Sequence, residues 1–211
     1  ASNLDLLYYG LNERQEDFSQ ELIFSSHKQG RFSAVGGLFY YRADGRYDPL
    51  DVLGAFAGPV PVYVWSKQVT DAYAVFGELT WDVTERLSAV GGARYSDEKR
   101  TAYGTFQFGQ GPQPSMPRIG EKSWDSFTPR VALRYRLPQG DNLYVTYSEG
   151  FKSGGFNIAA VSPIPFGPED LKAVEVGVKT SPDRRLSANV AVFYYDYSDQ
   201  QVMTVADNFN I

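Results

Sequence analysis

Four short turn signals punctuate the chain, and long connections separate the hairpins they close. The turns are His27-Lys28-Gln29-Gly30, Val83-Thr84-Glu85-Arg86, Pro138-Gln139-Gly140-Asp141 and Pro182-Asp183-Arg184-Arg185. Each is flanked by alternating segments rich in aromatic and β-branched residues, which is the mark of a hairpin. The expected strand pairs are Asp17–Ser26 with Arg31–Arg42, Val69–Asp82 with Leu87–Lys99, Ser123–Leu137 with Asn142–Gly150, and Glu169–Ser181 with Leu186–Ser198. Between the hairpins run Ala43–Gln68, Arg100–Lys122 and Phe151–Pro168, rich in Gly, Pro and Asp. Short turns on one edge and long loops on the other match an antiparallel barrel that crosses a membrane, with the short turns periplasmic. A soluble sandwich has shorter strands and mixed loops at both ends. The expected fold is therefore all-β, an antiparallel up-and-down meander of about eight strands.

Alternation along the strands says which face meets which solvent. Tyr73, Val75, Gly77, Leu79 and Trp81 share one face, and Glu78, Thr80 and Asp82 the other. Val131, Leu133 and Tyr135 oppose Arg130, Arg134 and Arg136; Val174, Val176 and Val178 oppose Glu175 and Lys179. With a side-chain period of two, the apolar set faces lipid and the charged set a wet lumen. Trp81, Tyr95 and Tyr135 end otherwise aliphatic faces, as the rings of an interfacial girdle do. Aromatics make up 15% of the chain, yet mean hydropathy is only -0.34. No uncharged apolar run approaches the roughly 20 residues of a spanning helix. A net charge of -5 argues against nucleic acid as a partner.

Signals for catalysis are nearly absent. His27 is the single histidine, placed in a turn, and cysteine is lacking, so neither a histidine triad nor a thiolate metal site is available. Ser25-x-x-Lys28 and Ser96-x-x-Lys99 match one element of a serine hydrolase pattern without its companions. The glycines of Gly150–Gly155 lack the spacing of a phosphate loop. No enzyme activity and no cofactor are expected.

Several segments, taken in order, carry a family likeness. They are Phe18-Ser19-Gln20-Glu21-Leu22, Gly36-Gly37-Leu38-Phe39-Tyr40-Tyr41, Ala74-Val75-Phe76-Gly77-Glu78-Leu79-Thr80-Trp81, Gly91-Gly92-Ala93-Arg94-Tyr95 and Phe127-Thr128-Pro129-Arg130. Tyr147-Ser148-Glu149-Gly150-Phe151-Lys152-Ser153-Gly154-Gly155-Phe156-Asn157, Glu175-Val176-Gly177-Val178-Lys179 and Phe193-Tyr194-Tyr195-Asp196-Tyr197 continue it. Together they resemble the barrel of TonB-dependent outer-membrane receptors, especially the siderophore and iron-complex group. The resemblance implies a 22-stranded barrel closed by an N-terminal plug domain. It also implies the outer membrane of a Gram-negative bacterium, with outer-membrane lipid, the chain's own plug and the TonB complex as partners. A ferric siderophore or similar scarce nutrient would be the cargo. On this reading residues 1–211 are an internal part of the barrel, without the plug, the TonB-contacting segment or the closing strands.

Two sets of residues are candidates for function. Glu78, Arg94, Arg130, Arg134, Glu175 and Lys179 form the expected lumen charge network, mainly cross-strand ion pairs, with Glu78 and Arg94 placed to pair across one hairpin. Phe56, Tyr63 and Trp65 in the first long connection, and Phe151, Phe156 and Asn157 in the last, are the candidate substrate contacts. A competing architecture is a small closed outer-membrane barrel with a structural or adhesive role, since eight strands suffice to close one. It requires the strand near Asp17 to pair with the one near Leu186.

Overall fold

A computed structural model describes residues 8–53, 60–138, 140–183 and 186–202. Eight long strands form one antiparallel sheet: β1 (Tyr8–Ser25), β2 (Phe32–Leu53), β3 (Val62–Asp82), β4 (Leu87–Phe108), β5 (Arg118–Arg136), β6 (Asn142–Lys152), β9 (Glu169–Asp183) and β10 (Leu186–Ser198). Their order in the sheet is their order in the chain, apart from the insertion between β6 and β9. That insertion holds a two-residue hairpin, β7 (Gly155–Phe156) with β8 (Pro165–Phe166). The edges β1 and β10 do not pair, so the small closed barrel is set aside.

The strands run much further than the sequence pattern marks. Most of Ala43–Gln68 and Arg100–Lys122 is strand, with β2 reaching Leu53, β3 starting at Val62, and β4 reaching Phe108. Gly45, Asp48, Pro49 and Gly104 read as loop signals, yet the ladder absorbs them. The irregularities between Tyr47 and Leu50 and between Ala102 and Tyr103 take up the misfit. These two hairpins therefore stand well above the membrane as paired ribbons, and the connections from β2 to β3 and from β4 to β5 are shorter than the sequence pattern marks, while that from β6 to β9 stays long.

The register turns the alternation into a band. On the outer face of β2 the side chains run Phe32, Ala34, Gly36, Leu38, Tyr40, then Arg42; on β3, Trp81, Leu79, Gly77, Val75, Tyr73, then Asp71. β4 gives Leu87 to Tyr95 and then Asp97, and β5 Tyr135 to Phe127 and then Asp125. Nearly all the large exposed apolar side chains of these strands sit on this face: Leu38 is 52% exposed, Val75 51%, Phe127 63% and Val131 53%. A continuous apolar surface of that size is untenable in water and natural in lipid. From Phe32 to Tyr40 the strand covers about 26 Å, or about 20 Å along the membrane normal at a tilt of ~40°.

Two aromatic rims bound the band. Phe32 and Trp81 stack at 6.1 Å near the short turns, where Tyr135 also lies. Tyr40, Tyr73, Tyr95, Phe127, Tyr147 and Tyr194 mark the opposite rim, so Tyr95 belongs to the other interface from Trp81 and Tyr135. The upper rim steps down the register across the sheet. Tyr73 faces Asp97 and Tyr95 faces Val75, while Tyr147 faces Val131 and not Phe127. That stagger is the shear of tilted strands in a barrel.

On the inner face glycines seat rings from neighbouring strands. A Cβ on Gly37 would lie 2.4 Å from the Leu22 carbonyl oxygen and 2.6 Å from the Phe76 ring, and one on Gly177 would lie 2.6 Å from Cζ of Tyr144. Gly37→Val should therefore lower the temperature of the heat-modifiable gel shift of the full-length protein, at about 1–3 kcal/mol of overpacking. Adding Phe76→Ala should restore part of it. An unchanged transition in Gly37→Val would refute the seat.

Candidate functional site at the upper lumen

All six charged residues singled out in the sequence lie on the inner face, but they do not combine as one pair per hairpin. The β3–β4 register sets Glu78 opposite Gly92 and Arg94 opposite Phe76. Glu78 and Arg94 therefore do not meet. Glu78 instead takes Arg130, from two strands away, with 2.6 Å between Arg130 Nη1 and Glu78 Oε2. The bare Gly92 lets them cross, since its Cβ would lie 3.1 Å from that of Glu78. The Arg94 guanidinium lies over Phe39 and Phe76, at 4.9 and 5.8 Å from their centroids. Tyr144 donates its hydroxyl to Glu175 at 2.6 Å, and Lys179 lies 5.5 Å from the Tyr144 ring. Arg134 joins Lys28, Asp82 and Ser88 around a polar recess near the short turns.

Higher up, the β6–β9 connection bends inward across the wall. Ser153 is 3% exposed; its hydroxyl accepts from Arg100 Nη2 at 2.8 Å and donates to Glu98. Arg100 Nη2 also lies 2.7 Å from Glu98. The Phe156 amide donates to Gln68 Oε1 at 3.1 Å. Its ring is buried with Ala102 and Trp124, over Gly120, where a Cβ would come within 2.3 Å of it. From just beyond the upper end of β10, the Gln201 side-chain amide donates to the carbonyls of Ser153 at 3.1 Å and Gly167 at 2.9 Å. Glu98 and Arg100 alternate onto the inner face of β4, and Gly154 lies against the Trp124 indole, where a Cβ would come within 2.6 Å. Gln68, Glu98, Arg100, Ser153 and Gln201 carry this latch, and none is among the candidate functional residues of the sequence, although Ser153 lies in a segment that carries the family likeness. Its one legible sign is that Glu98 and Arg100 sit two apart on one strand face; their distant partner is not encoded locally.

Beside the latch opens a cavity of about 900 Å³, lined by Tyr47, Lys152, Phe156, Asn157, Phe166 and Gln201 among others. Of the candidate contacts, Asn157 faces it, and its Oδ1 accepts from the Ala160 amide at 3.2 Å. Phe156 shows the cavity only its rim, being 5% exposed. Phe151 packs against the Ala102–Trp124–Phe156 cluster. Tyr63 and Trp65 are strand residues of β3, on the same face as Asp71 and Tyr73 and thus away from the lumen. Trp65 Nε1 donates to Gln107 Oε1 at 3.1 Å. Phe56 lies outside the described residues.

Two measurements check this geometry in the full-length protein. Arg100→Ala removes charge-assisted bonds of about 1.5–3 kcal/mol, so amide exchange over residues 153–167 should rise roughly ten- to hundredfold while the spanning strands stay protected. On the outer side of the β4–β5 ribbon, Lys99 donates to Glu121 at 2.9 Å and Arg118 lies 3.0 Å from it. The hydrogen bond from Lys99 holds the Glu121 carboxyl below the ordinary carboxylate range. A lowered folded pKa means the tie is in place above the unfolded value and is lost as pH falls through the folded one. A carboxyl-carbon NMR titration should show Glu121 moving up toward the ordinary range in Lys99→Ala.

Comparison with known proteins agrees with this architecture. The family model described as TonB dependent receptor-like, beta-barrel, matches residues 2–211. The pesticin receptors of Yersinia enterocolitica and Yersinia pestis are 29% identical over 157 residues, covering 70% of this chain and 22% of their own length. The chain thus spans about a fifth of these curated relatives. The ferric yersiniabactin uptake receptor FyuA from Yersinia pestis superposes with a TM-score of 0.80 at 21% identity, over 94% of this chain and 31% of that one. The copper transporter OprC gives 0.64 at 18% identity, over 87% and 31%. The lipid-facing band, the polar inner wall, the short periplasmic turns and the match along almost the whole length lead to one assignment: the chain belongs to the TonB-dependent receptor β-barrel family of the Gram-negative outer membrane.

Proposed function

We propose that this chain forms part of the wall of an active-transport receptor that takes up a ferric siderophore or a similar scarce nutrient. On this proposal the complete receptor also carries a plug domain and contacts the TonB complex, which couples uptake to the proton gradient of the inner membrane. The observation that carries the reading is the inward-bent β6–β9 connection. It rests on a polar inner wall and leaves beside it a cavity edged by Asn157, Lys152, Tyr47 and Phe166. A pocket with aromatic walls and a few placed polar groups suits a compact organic chelate. The name of the ferric yersiniabactin uptake receptor is consistent with that cargo class. Phe156 and Phe151 act as packing residues that shape the pocket. Asn157 presents its amide to the cargo. Tyr63 and Trp65 stiffen the outer ribbon, and the lumen charges face the plug.

Growth and uptake of radiolabelled ferric chelates under iron limitation test this in cells that express the full-length receptor. Uptake of at least one chelate should depend on both the receptor and an intact TonB system. Asn157→Ala should weaken binding about tenfold, the cost of one or two hydrogen bonds at a buried ligand. Trp65→Ala should leave binding unchanged. Uptake of every chelate at the same rate with and without the receptor would refute the proposal.

A further inference from the structure

The recesses beside the latch differ from the rest of the inner wall in how their charges are committed. The cavity of about 900 Å³ adjoins a smaller one of about 330 Å³, and the two share Tyr47 and Ile158 along their border. Among the described residues, every cation that lines them is tied to a carboxylate. Arg46 lies 3.2 Å from Asp44, Arg100 2.7 Å from Glu98, and Lys152 3.4 Å from Glu169. Glu169 also accepts from the Gln201 backbone amide, and Glu98 from the Ser153 hydroxyl, so both carboxylates are fixed from a second side. Lys122, on the inner face opposite Arg100, lies over the Trp124 ring at 5.4 Å and lines neither recess.

Two carboxylates remain. Glu13 edges the smaller recess and Asp199 the larger, and neither meets a cation within ion-pair distance among the described residues. Each recess, taken with the partners of its cations, therefore carries an excess of negative charge. The inner wall is not short of cations. Near the short turns Lys28, Arg31, Arg86, Arg134 and Arg136 share one recess with only two carboxylates. The same stretch of wall is thus basic below and acidic above.

A guanidinium or ammonium already closed by a carboxylate offers an incoming anion little, because the pair is neutral seen from outside. A free carboxylate at the mouth repels it, and like charges set face to face are how binding sites reject wrong partners. What the recesses do offer is rings and donors. Tyr47 and Phe166 supply the rings, and Asn157, whose Oδ1 is occupied by the Ala160 amide, has its NH2 group to give. That lining suits a ligand with carbonyl oxygens and apolar surface but no net negative charge.

We propose that the cargo is a ferric chelate of neutral or positive net charge, and that Glu13 and Asp199 exclude polyanionic chelates at the mouth. The proposal rests on the transport reading, whose cargo class it narrows.

Fluorescence quenching of the purified full-length receptor tests this, titrated with ferric chelates sorted by the charge of the complex. Tris-hydroxamates, neutral or singly cationic, form one class; tris-catecholates and citrate complexes, all polyanionic, form the other. A tripodal pair on one scaffold, differing only in hydroxamate or catecholate arms, separates charge from shape. The neutral tripod should bind at least about tenfold more tightly, the scale on which an opposed charge acts in a partly desolvated site. Added salt should strengthen the anionic complex and leave the neutral one unchanged, since screening relieves repulsion. Glu13→Gln with Asp199→Asn should close most of the gap and remove that salt dependence. Asparagine tolerates the left-handed backbone, φ 55°, that Asp199 adopts. Asp170→Asn, on the outward face of β9, should change neither.

The heat-modifiable gel shift identifies folded variants; should the double variant fail it, the parent's preference and its salt dependence carry the test. A polyanionic chelate as the tightest binder, or a folded double variant with the parent's full preference, would overturn the proposal and leave the transport reading standing. Binding of no chelate from either class would count against that reading itself, and this proposal would fall with it.

Discussion

A strand in hydrocarbon has no water to satisfy its amides and carbonyls, so each must be met by a neighbouring strand. That single requirement governs the rest of the structure. It explains why the ladders run unbroken through the band, from Phe32 opposite Trp81 to Tyr40 opposite Tyr73. It also explains why the irregularities keep to the ends of the ladders: above the band at Leu11–Glu13, Tyr47–Leu50 and Ala102–Tyr103, and beside the short turn at Leu186–Ala188. There a broken pair can turn to solvent.

Once the backbone is committed, only the side chains remain to distinguish inside from outside, and each strand does so with a period of two. The outer set needs no partners beyond lipid and can be almost anything apolar. The inner set is more demanding, because polar groups packed on a curved wall need specific neighbours. Glycine is what makes room for them. Gly92 lets Arg130 reach Glu78, Gly37 admits Phe76, and Gly120 admits Phe156. The connection between β6 and β9 exploits the same device, its ring settling into a space that no other residue at Gly120 would leave open.

Much of this was legible in the residues. The turn positions, the number of long strands, the outer and inner sets and the family all follow from patterns confined to one strand or one hairpin. What was hidden depends on two or more strands at once. The pairing of Glu78 could not be read from its own hairpin, because its partner lies on the strand beyond the next and is reached across a glycine. The extents of β2 and β4 were hidden because Gly, Pro and Asp above the membrane read as loop while the ribbon still pairs through them. The latch of Glu98, Arg100 and Ser153 joins residues more than fifty positions apart. Trp65 looked like a loop aromatic for the same reason: its strand continues, and the continuation turns it outward.

The Arg130–Glu78 contact has a mechanical side. Ladder bonds join each strand only to its immediate neighbours, and such a lattice deforms most easily by neighbours sliding or hinging past one another. A strut that reaches over the intervening strand triangulates that lattice. It resists hinging at β4 in a way that no nearest-neighbour bond can. A wall stiffened at this level and hung with a loop at its rim would deform unevenly under load, yielding at the mouth while the middle keeps its curvature.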